Sequence, residues 1–469
     1  MVFSNLIFLY LFLPICLVAY FLCPSLRAKN AVLIVFSLIF YAWGEPVYLF
    51  LMIAVALLNW GFGLLIARSR RRVWLIVAVA INLCSLAGFK YAGFFVENIN
   101  ALFGLGLSVP QLALPIGISF YTFQALSYTV DVWREDVPAQ RSFAKFLLYV
   151  SLFPQLIAGP IVRYADVAKQ IDERSFNPHA AYYGASRFCM GLAKKVLLAD
   201  AAGKIASQIL NGALPATTTA SAWLGIVLYT FEIYFDFSGY SDMAIGMGRV
   251  FGFQYLENFQ LPYTARSITD FWRRWHISLS SFFRDYVYIP LGGKKKHQIF
   301  NMAVVWALTG LWHGASWNFV LWGLYFFVIL VVEKAIGESR LRRIPALVRH
   351  VVTMLLVILS WNIFYYTDLK TLGQSFGVLF GFDGAGFWDT QTGIQLVNNL
   401  PLLVICAIGS TALPRNIGVL FGGMCAQNRT KRGQLVYAGV TFAFNVTLLA
   451  LSTIALVGST YNAFLYFRF

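Results

Sequence analysis

Apolar runs of membrane-span length, divided by short loops that carry most of the charge, recur from one end of the chain to the other. A helix needs about 20 apolar residues to cross a bilayer. Residues 4–23 supply the first such run, and Arg27 and Lys29 follow it. The stretch 31–67 is too long for one crossing, and Gly44-Glu45-Pro46 divides it into a hairpin that returns to Arg68, Arg70, Arg71 and Arg72. Both basic clusters then fall on one side, which predicts an N-terminus outside and these loops in the cytoplasm. Residues 73–89 form the next span, and the weaker apolar region to about residue 109 reads as a short or interfacial helix. Two later segments carry breakers at membrane depth: 112–130, with Pro115 and Gly117, and 143–161, with Pro154, Gly159 and Pro160. Irregular backbone there is tolerated only where protein or a water-filled cavity satisfies it. Broken or re-entrant segments around a central cavity are therefore expected.

The second half continues the pattern. A helix over 182–199, ending in Lys194 and Lys195, fits an interfacial placement. Residues 222–237 and 243–253 read as two spans around the polar DFSGYSD, with Gly248 and Gly252 as a close-approach GxxxG pair. A basic loop with Arg266, Arg273, Arg274, Arg284, Lys294, Lys295 and Lys296 follows and is placed in the cytoplasm. The run 299–312 is shorter than a full span, so a helix starting at the inner face leaves His313 part-way through the membrane. Residues 321–332, 351–366, 400–413 and 436–457 complete the pattern, with Arg340, Arg342, Arg415, Arg429 and Arg432 in the loops between them. The prediction is an all-α polytopic membrane protein of about eleven spans. It forms a single integral-membrane domain over 1–469, without internal repeats.

Composition agrees with this reading. The chain is 59% hydrophobic and 12% charged, with a mean hydropathy of +0.68, far from the roughly 45–50% apolar and about 25% charged of soluble domains. The formal charge of +16 is scattered through loops and forms no basic domain, so it reads as topogenic charge and excludes nucleic acid as a partner. The first apolar run lacks a basic leader and a small-residue cleavage site, so it is expected to be retained. The six cysteines show no CxxC pair or metal-ligand spacing, which argues against disulfides and a metal site. Signals for a P-loop ATPase, a zinc protease or an α/β-hydrolase are missing.

Candidate chemistry concentrates in the region 265–323. His313 lies in LTGLWHGASW, between Trp312 and Trp317 and within apolar sequence. Ionisable groups in such positions face a bundle interior or a cavity and mark substrate or proton paths. A neutral histidine hydrogen-bonded to a neighbouring helix would also fit. His276, beside Arg273 and Arg274, fits a solvated loop residue as well as a functional one. His179, His297 and His350 lie near loop or span ends and read as exposed. Asp236, Ser238, Tyr240 and Asp242 form a second polar island, where helix capping explains either aspartate equally well. With Gln124, Trp312, Trp317 and Asn318, they are the expected lining of the cavity. Arg284 and Asp285 read as an interfacial ion pair. Arg273, Arg274, Lys294, Lys295 and Lys296 serve topology, and are also suited to hold the phosphates of a nucleotide-linked donor.

The runs FWRRWHISLSSFFRDYVYIPLGG and GLWHGASWNFVLWG resemble the signature region of the membrane-bound O-acyltransferases, within them the alginate O-acetyltransferase (AlgI-like) branch. The resemblance extends in order through MVFSNLIFLYLFLP, LPIGISFYTFQALSY, FPQLIAGPIVRY, FDFSGYSDMAIG and the closing FLYFRF. It implies that His313, in LWHG, is catalytic, and that His276 occupies a second functional position that orients or polarises the acyl donor. It places DFSGYSD near the reaction chamber. It further implies a bacterial inner-membrane acyltransferase with no permanently bound cofactor. Such an enzyme takes acetyl from cytosolic acetyl-CoA and works with an extracytoplasmic serine-hydrolase-like subunit on an exported polysaccharide. A D-alanyl transferase of the teichoic-acid type and a proton-coupled transporter are the alternatives. RDYVYIPLGG fits the alginate branch better than the first, and the lack of two related halves weakens the second.

Overall fold

The computed structural model describes residues 1–157, 159–212, 217–384, 386–427, 431–458 and 464–465. Ala158 and Arg429, and all of the closing FLYFRF except Phe464 and Leu465, lie outside the described residues. Among the described residues the regular structure is helical and contains no strand.

The chain opens with α1 (Phe8–Leu22), α2 (Leu26–Ala42), α3 (Tyr48–Ser69) and α4 (Arg72–Phe103). Ser25 caps α2 by accepting from the Ala28 amide, and the break between α2 and α3 falls on Gly44-Glu45-Pro46 as the pattern requires. Helix α4 departs from expectation. It is one continuous helix of 32 residues, about 48 Å at 1.5 Å per residue, rather than a span followed by an interfacial piece. No proline interrupts it, and Asn98 bonds within the helix to Phe94 O (2.7 Å). The helix stops only at Gly104, whose φ of 65° gives the left-handed C-terminal turn that glycine favours.

Next come α5 (Ile118–Arg134), α6 (Phe143–Ser151), α7 (Phe153–Leu156) and α8 (Tyr164–Glu173). Of the two segments expected to be irregular, 112–130 is non-helical only as far as Gly117 and then runs unbroken as α5, while 143–161 is interrupted at Leu152 between α6 and α7. Helix α5 is buried on nearly every side, and the breakers Pro115, Pro154, Gly159 and Pro160 are buried within protein, whereas 104–114 is largely exposed.

Helix α9 (Pro178–Ala193) runs through a π-helical turn (Lys194–Ala199) into α10 (Asp200–Leu210). It lies along α11 (Thr219–Val250), a single helix of 32 residues where two spans were expected. The polar DFSGYSD does not break α11 because its charges are paired. Asp236 meets Lys195 at 2.6 Å, and Asp242 meets Arg187 at 2.8 Å and Lys194 at 2.6 Å. The close approach of the two helices does not use Gly248, which faces the Tyr255 ring, or Gly252, which sits in a turn at φ +87°. It uses Gly184 against Gly246 and Gly191 against Gly239, where any Cβ would strike the opposing carbonyl.

After α12 (Ile268–Arg274) and α13 (Ile277–Phe283) come α14 (Gln298–His313) and α15 (Trp317–Ile336), then α16 (Glu338–Leu341) and α17 (Ala346–Tyr365). The chain closes through α18 (Leu369–Leu379), α19 (Thr390–Gly409), α20 (Leu413–Gln427) and α21 (Lys431–Val457). Six helices among the described residues are long and apolar enough to cross a membrane: α3, α4, α15, α17, α19 and α21. The expected count of about eleven also takes in shorter and more polar helices. Helix α14, with 16 residues, spans about 24 Å and falls short of the roughly 30 Å hydrocarbon core. The apolar interior forms two clusters. Trp312, Phe123 and Phe282 belong to the first, and Trp272, Trp322 and Phe364 to the second.

Candidate active site

Helices α14 and α15 form a hairpin around Gly314. They approach closely because Gly310 faces Phe319 O and Gly323 faces Trp306 O, leaving no room for a Cβ at either place. A helix end leaves its last carbonyls without intrahelical partners. Here α4 supplies them. Lys90 Nζ donates to Trp312 O at 2.5 Å and to His313 O at 3.5 Å, and Tyr91 OH donates to Leu311 O at 2.7 Å. His313 is thereby held at the end of a short helix, at the seam of the two apolar clusters.

The His313 ring lies 4.9 Å from Trp312, 4.9 Å from Trp322 and 5.3 Å from Phe364, centroid to centroid. His276 packs on the same indole at 5.6 Å and meets Phe237 of α11 at 4.6 Å. Of the five histidines, only these two are buried. His276 is 0% exposed and His313 8%. The titratable groups that bear on His313 are His276 and Lys90. In both rings Nε2 is buried and meets no hydrogen-bond partner among the described residues. His276 also has a left-handed backbone, φ 44° and ψ 54°, a conformation that costs energy for a non-glycine residue and clusters at functional sites.

Local structure explains how His276 is presented. Ser267 caps α12 by accepting from Asp270 N at 3.0 Å. Glu333 of α15 accepts from Ile268 N at 2.6 Å and Thr269 N at 2.9 Å, placing a carboxylate where a helix start favours it. The non-helical stretch before α12 contributes Asn258. Its Oδ1 receives Ser278 N at 3.1 Å and Ser278 Oγ at 2.9 Å, and faces His276 Nδ1 at 3.2 Å.

The other expected site residues separate into groups. Gln124 is fully buried, and both its amide atoms lack a partner among the described residues. Its neighbours Phe120 and Phe123 pack on Trp312 at 5.6 and 6.1 Å. Asn318 is buried and ties α15 to α17 through Ile363 O and Phe364 O, both at 3.2 Å. Trp317 is about half exposed and donates to Asn98 at 2.8 Å. Ser238 is buried, and its Oγ meets no partner among the described residues. Asp242 is held in its ion pairs. Asp236 also accepts from Leu465 N at 2.9 Å, and Tyr240 lies between Phe3 at 4.6 Å and Phe464 at 4.8 Å. This part of α11 anchors helices and termini.

The basic residues also divide. Arg273 lines a cleft of about 410 Å³ with Arg284, Ser280, Ser281, Trp272 and Trp306. Trp272 touches Trp322 at 5.6 Å, and Trp322 touches His313 at 4.9 Å, so two indole rings link the cleft wall to His313. Arg274 is paired with Asp270 at 2.8 Å. Lys294, Lys295 and Lys296 are exposed on the turn before α14 and do not line that cleft. Arg284 and Arg163 both bind Asp285, at 2.6 and 2.8 Å. Burial pushes the Asp285 carboxyl up, but the hydrogen bonds and charges of the two guanidiniums outweigh it and hold the group below the usual carboxylate range. Trp312 also borders an apolar groove of about 490 Å³ lined by Phe123, Leu126 and Phe283.

Sequence reasoning missed two residues that support the histidines. Lys90 had a signal, a lone lysine inside the apolar run AGFKYAGFF. Asn258 had none, because nothing local distinguishes it from a loop asparagine.

The comparisons with known proteins bear on this site. The family model described as "MBOAT, membrane-bound O-acyltransferase family" matches residues 135–375, which include both buried histidines. The chain is 43% identical over 415 residues to a "Probable alginate O-acetylase AlgI" of Pseudomonas syringae pv. tomato, covering 84% of this chain and 79% of the relative. It is 38% identical over 499 aligned positions to the protein of the same description from Pseudomonas putida, covering 100% of both. A "Peptidoglycan O-acetyltransferase" of Helicobacter pylori is 30% identical over 519 aligned positions, covering 100% of this chain and 98% of the relative. With several apolar helices of spanning length and a family match across the region that carries both buried histidines, this multi-pass chain belongs to the membrane-bound O-acyltransferase family and is an acyltransferase.

Proposed function

We propose that the protein takes acetyl from cytosolic acetyl-CoA and delivers it through the bacterial inner membrane for O-acetylation of an exported polysaccharide. The observation that carries this reading is the pair of buried histidines on Trp312, each with Nε2 unpaired within the protein. The names of the relatives, which concern alginate and peptidoglycan, support a cell-envelope polymer as the final acceptor. In the reaction a hydroxyl oxygen attacks the thioester carbonyl, the C–O bond forms as the C–S bond breaks, and the thiolate leaves. His313 Nε2 takes the hydroxyl proton and returns it to the thiolate, a role suited to a neutral imidazole. His276 orients the reacting groups. The cleft at Arg273 and Arg284 provides guanidiniums for the phosphates of the donor, which Arg binds well. Lys294, Lys295 and Lys296, exposed on the turn before α14, and Arg274, paired with Asp270, lie outside that cleft and act on the donor's phosphates only at longer range.

The donor is cytosolic and the polymer is outside, so the hydroxyl that first receives acetyl belongs to an extracytoplasmic partner resembling a serine hydrolase, which passes it to the sugar. The test combines the purified protein in liposomes with labelled acetyl-CoA, with and without the partner. CoA release and label on the partner support the reading. Complete acetylation of polymer by this chain alone would remove the relay, and the absence of CoA release with partner present would remove the acetyl-CoA reading.

A further inference from the structure

We infer that Asn258 is a positioning residue that locks His276 as the Nδ1–H tautomer, so that its Nε2 accepts a hydrogen bond or proton within the reaction chamber and cannot polarise the donor carbonyl. This deepens the acyl-transfer reading above and rests on it for the chemistry at Nε2, while the tautomer follows from the hydrogen bonds alone.

One donor at Asn258 has a fixed role. The backbone N–H of Ser278 can only donate, and it points at the Asn258 side chain at 3.1 Å. The atom it meets must therefore be the amide oxygen. The reverse amide orientation would set NH₂ against N–H. The Ser278 hydroxyl is consistent with this polarity: it donates to the same oxygen at 2.9 Å while accepting from Ile161 N at 3.0 Å. An amide oxygen carries lone pairs and no proton. His276 Nδ1, 3.2 Å from that oxygen, must supply the hydrogen, because an unprotonated Nδ1 would set lone pair against lone pair. The serine hydroxyl, at 3.5 Å from Nδ1, has already given its proton to the closer oxygen. With Nδ1 protonated in a neutral ring, Nε2 bears the lone pair.

The surroundings reinforce the lock. Asn258 and His276 are both 0% exposed, so water does not compete for Nδ1. The Ile277 amide donates to Asn258 O at 3.0 Å, so Asn258 also holds the backbone immediately after the histidine. The left-handed φ of His276 is the conformation that brings its Nδ1 and the Ser278 amide to one oxygen. Nε2 is left buried with no acceptor or donor from the described residues, on the indole that also carries His313.

The deciding measurement is the ¹⁵N spectrum of the full-length protein in nanodiscs, labelled at histidine and assigned with His276→Gln. The wild type should show a pyrrole-type Nδ1 and a pyridine-type Nε2 for residue 276. Asn258→Asp keeps an acceptor in place and should keep both that pattern and most of the turnover. Asn258→Leu removes the acceptor and should lose the tautomer preference and lower CoA release by roughly 10²-fold or more. A pyrrole-type Nε2 in the wild type overturns the proposal, as does an Asn258→Leu variant with unchanged spectrum and turnover. If Asn258→Leu does not fold, the wild-type spectrum and the Asn258→Asp rescue still decide. An intact tautomer without any acetyl transfer would count against the proposed function and not against the lock.

Discussion

Lys90 Nζ sits 2.5 Å from the carbonyl oxygen of Trp312, so a side chain from α4 closes the end of the helix that carries His313. The contact joins two parts of the chain separated by 222 residues. A hydrogen bond to a buried carbonyl contributes about 0.5–1.5 kcal/mol net, and leaving that carbonyl unsatisfied costs about 1–3 kcal/mol. Lys90→Met should therefore reduce turnover about tenfold, equivalent to roughly 1.4 kcal/mol in the barrier, with Lys90→Arg recovering part of it. Steady-state CoA release with membrane insertion as a control would check this. Wild-type turnover in Lys90→Met would show that the end of α14 holds itself.

His313→Ala and His313→Gln should abolish acetylation while the protein still inserts and purifies normally. General-base catalysis alone is worth roughly 10²–10⁴-fold. Near-normal turnover in either variant would take His313 out of the proposed mechanism.

A cysteine at Lys295 reports which side the turn before α14 faces. The turn is exposed and rich in lysine, and basic loops favour the cytoplasm. A membrane-impermeant maleimide should label Lys295→Cys only after the inner face is opened. Labelling in intact spheroplasts would reverse the topology and with it the side from which the donor arrives.

The α9–α11 contact should tolerate no side chain at its crossing points. Gly191→Leu and Gly184→Leu place atoms on the Gly239 and Gly246 carbonyls, and overpacking of this kind costs about 1–3 kcal/mol. Thermal unfolding in detergent should shift down for both. Gly418→Ala, where a Cβ meets nothing within 4 Å, should leave it unchanged.

Much of the architecture was legible from the chain alone. Apolar length and loop charge identify a helical membrane protein without tertiary information, since an unsatisfied backbone in lipid leaves helices as the spanning form for such segments. The short run before His313 and the breakers near Pro115 and Pro154 likewise carried their meaning locally. His313 was legible as a candidate because an ionisable group in apolar sequence is costly without a role, whereas His276, in a basic loop, stood out only through the family resemblance, and its burial came with the fold.

Tertiary structure decided the rest. Whether DFSGYSD breaks a helix depended on Lys195, Arg187 and Lys194 arriving from α9 and the turn after it to neutralise Asp236 and Asp242. Which glycines let helices touch depended on the facing carbonyls, so Gly239 and Gly246 serve where Gly248 and Gly252 do not. The support of the two histidines by Lys90 and Asn258 is set by contacts across 222 and 18 residues. Hydropathy and loop charge read one segment at a time. The partners that satisfy a buried carbonyl or imidazole come from other segments, and only folding brings them within hydrogen-bond reach.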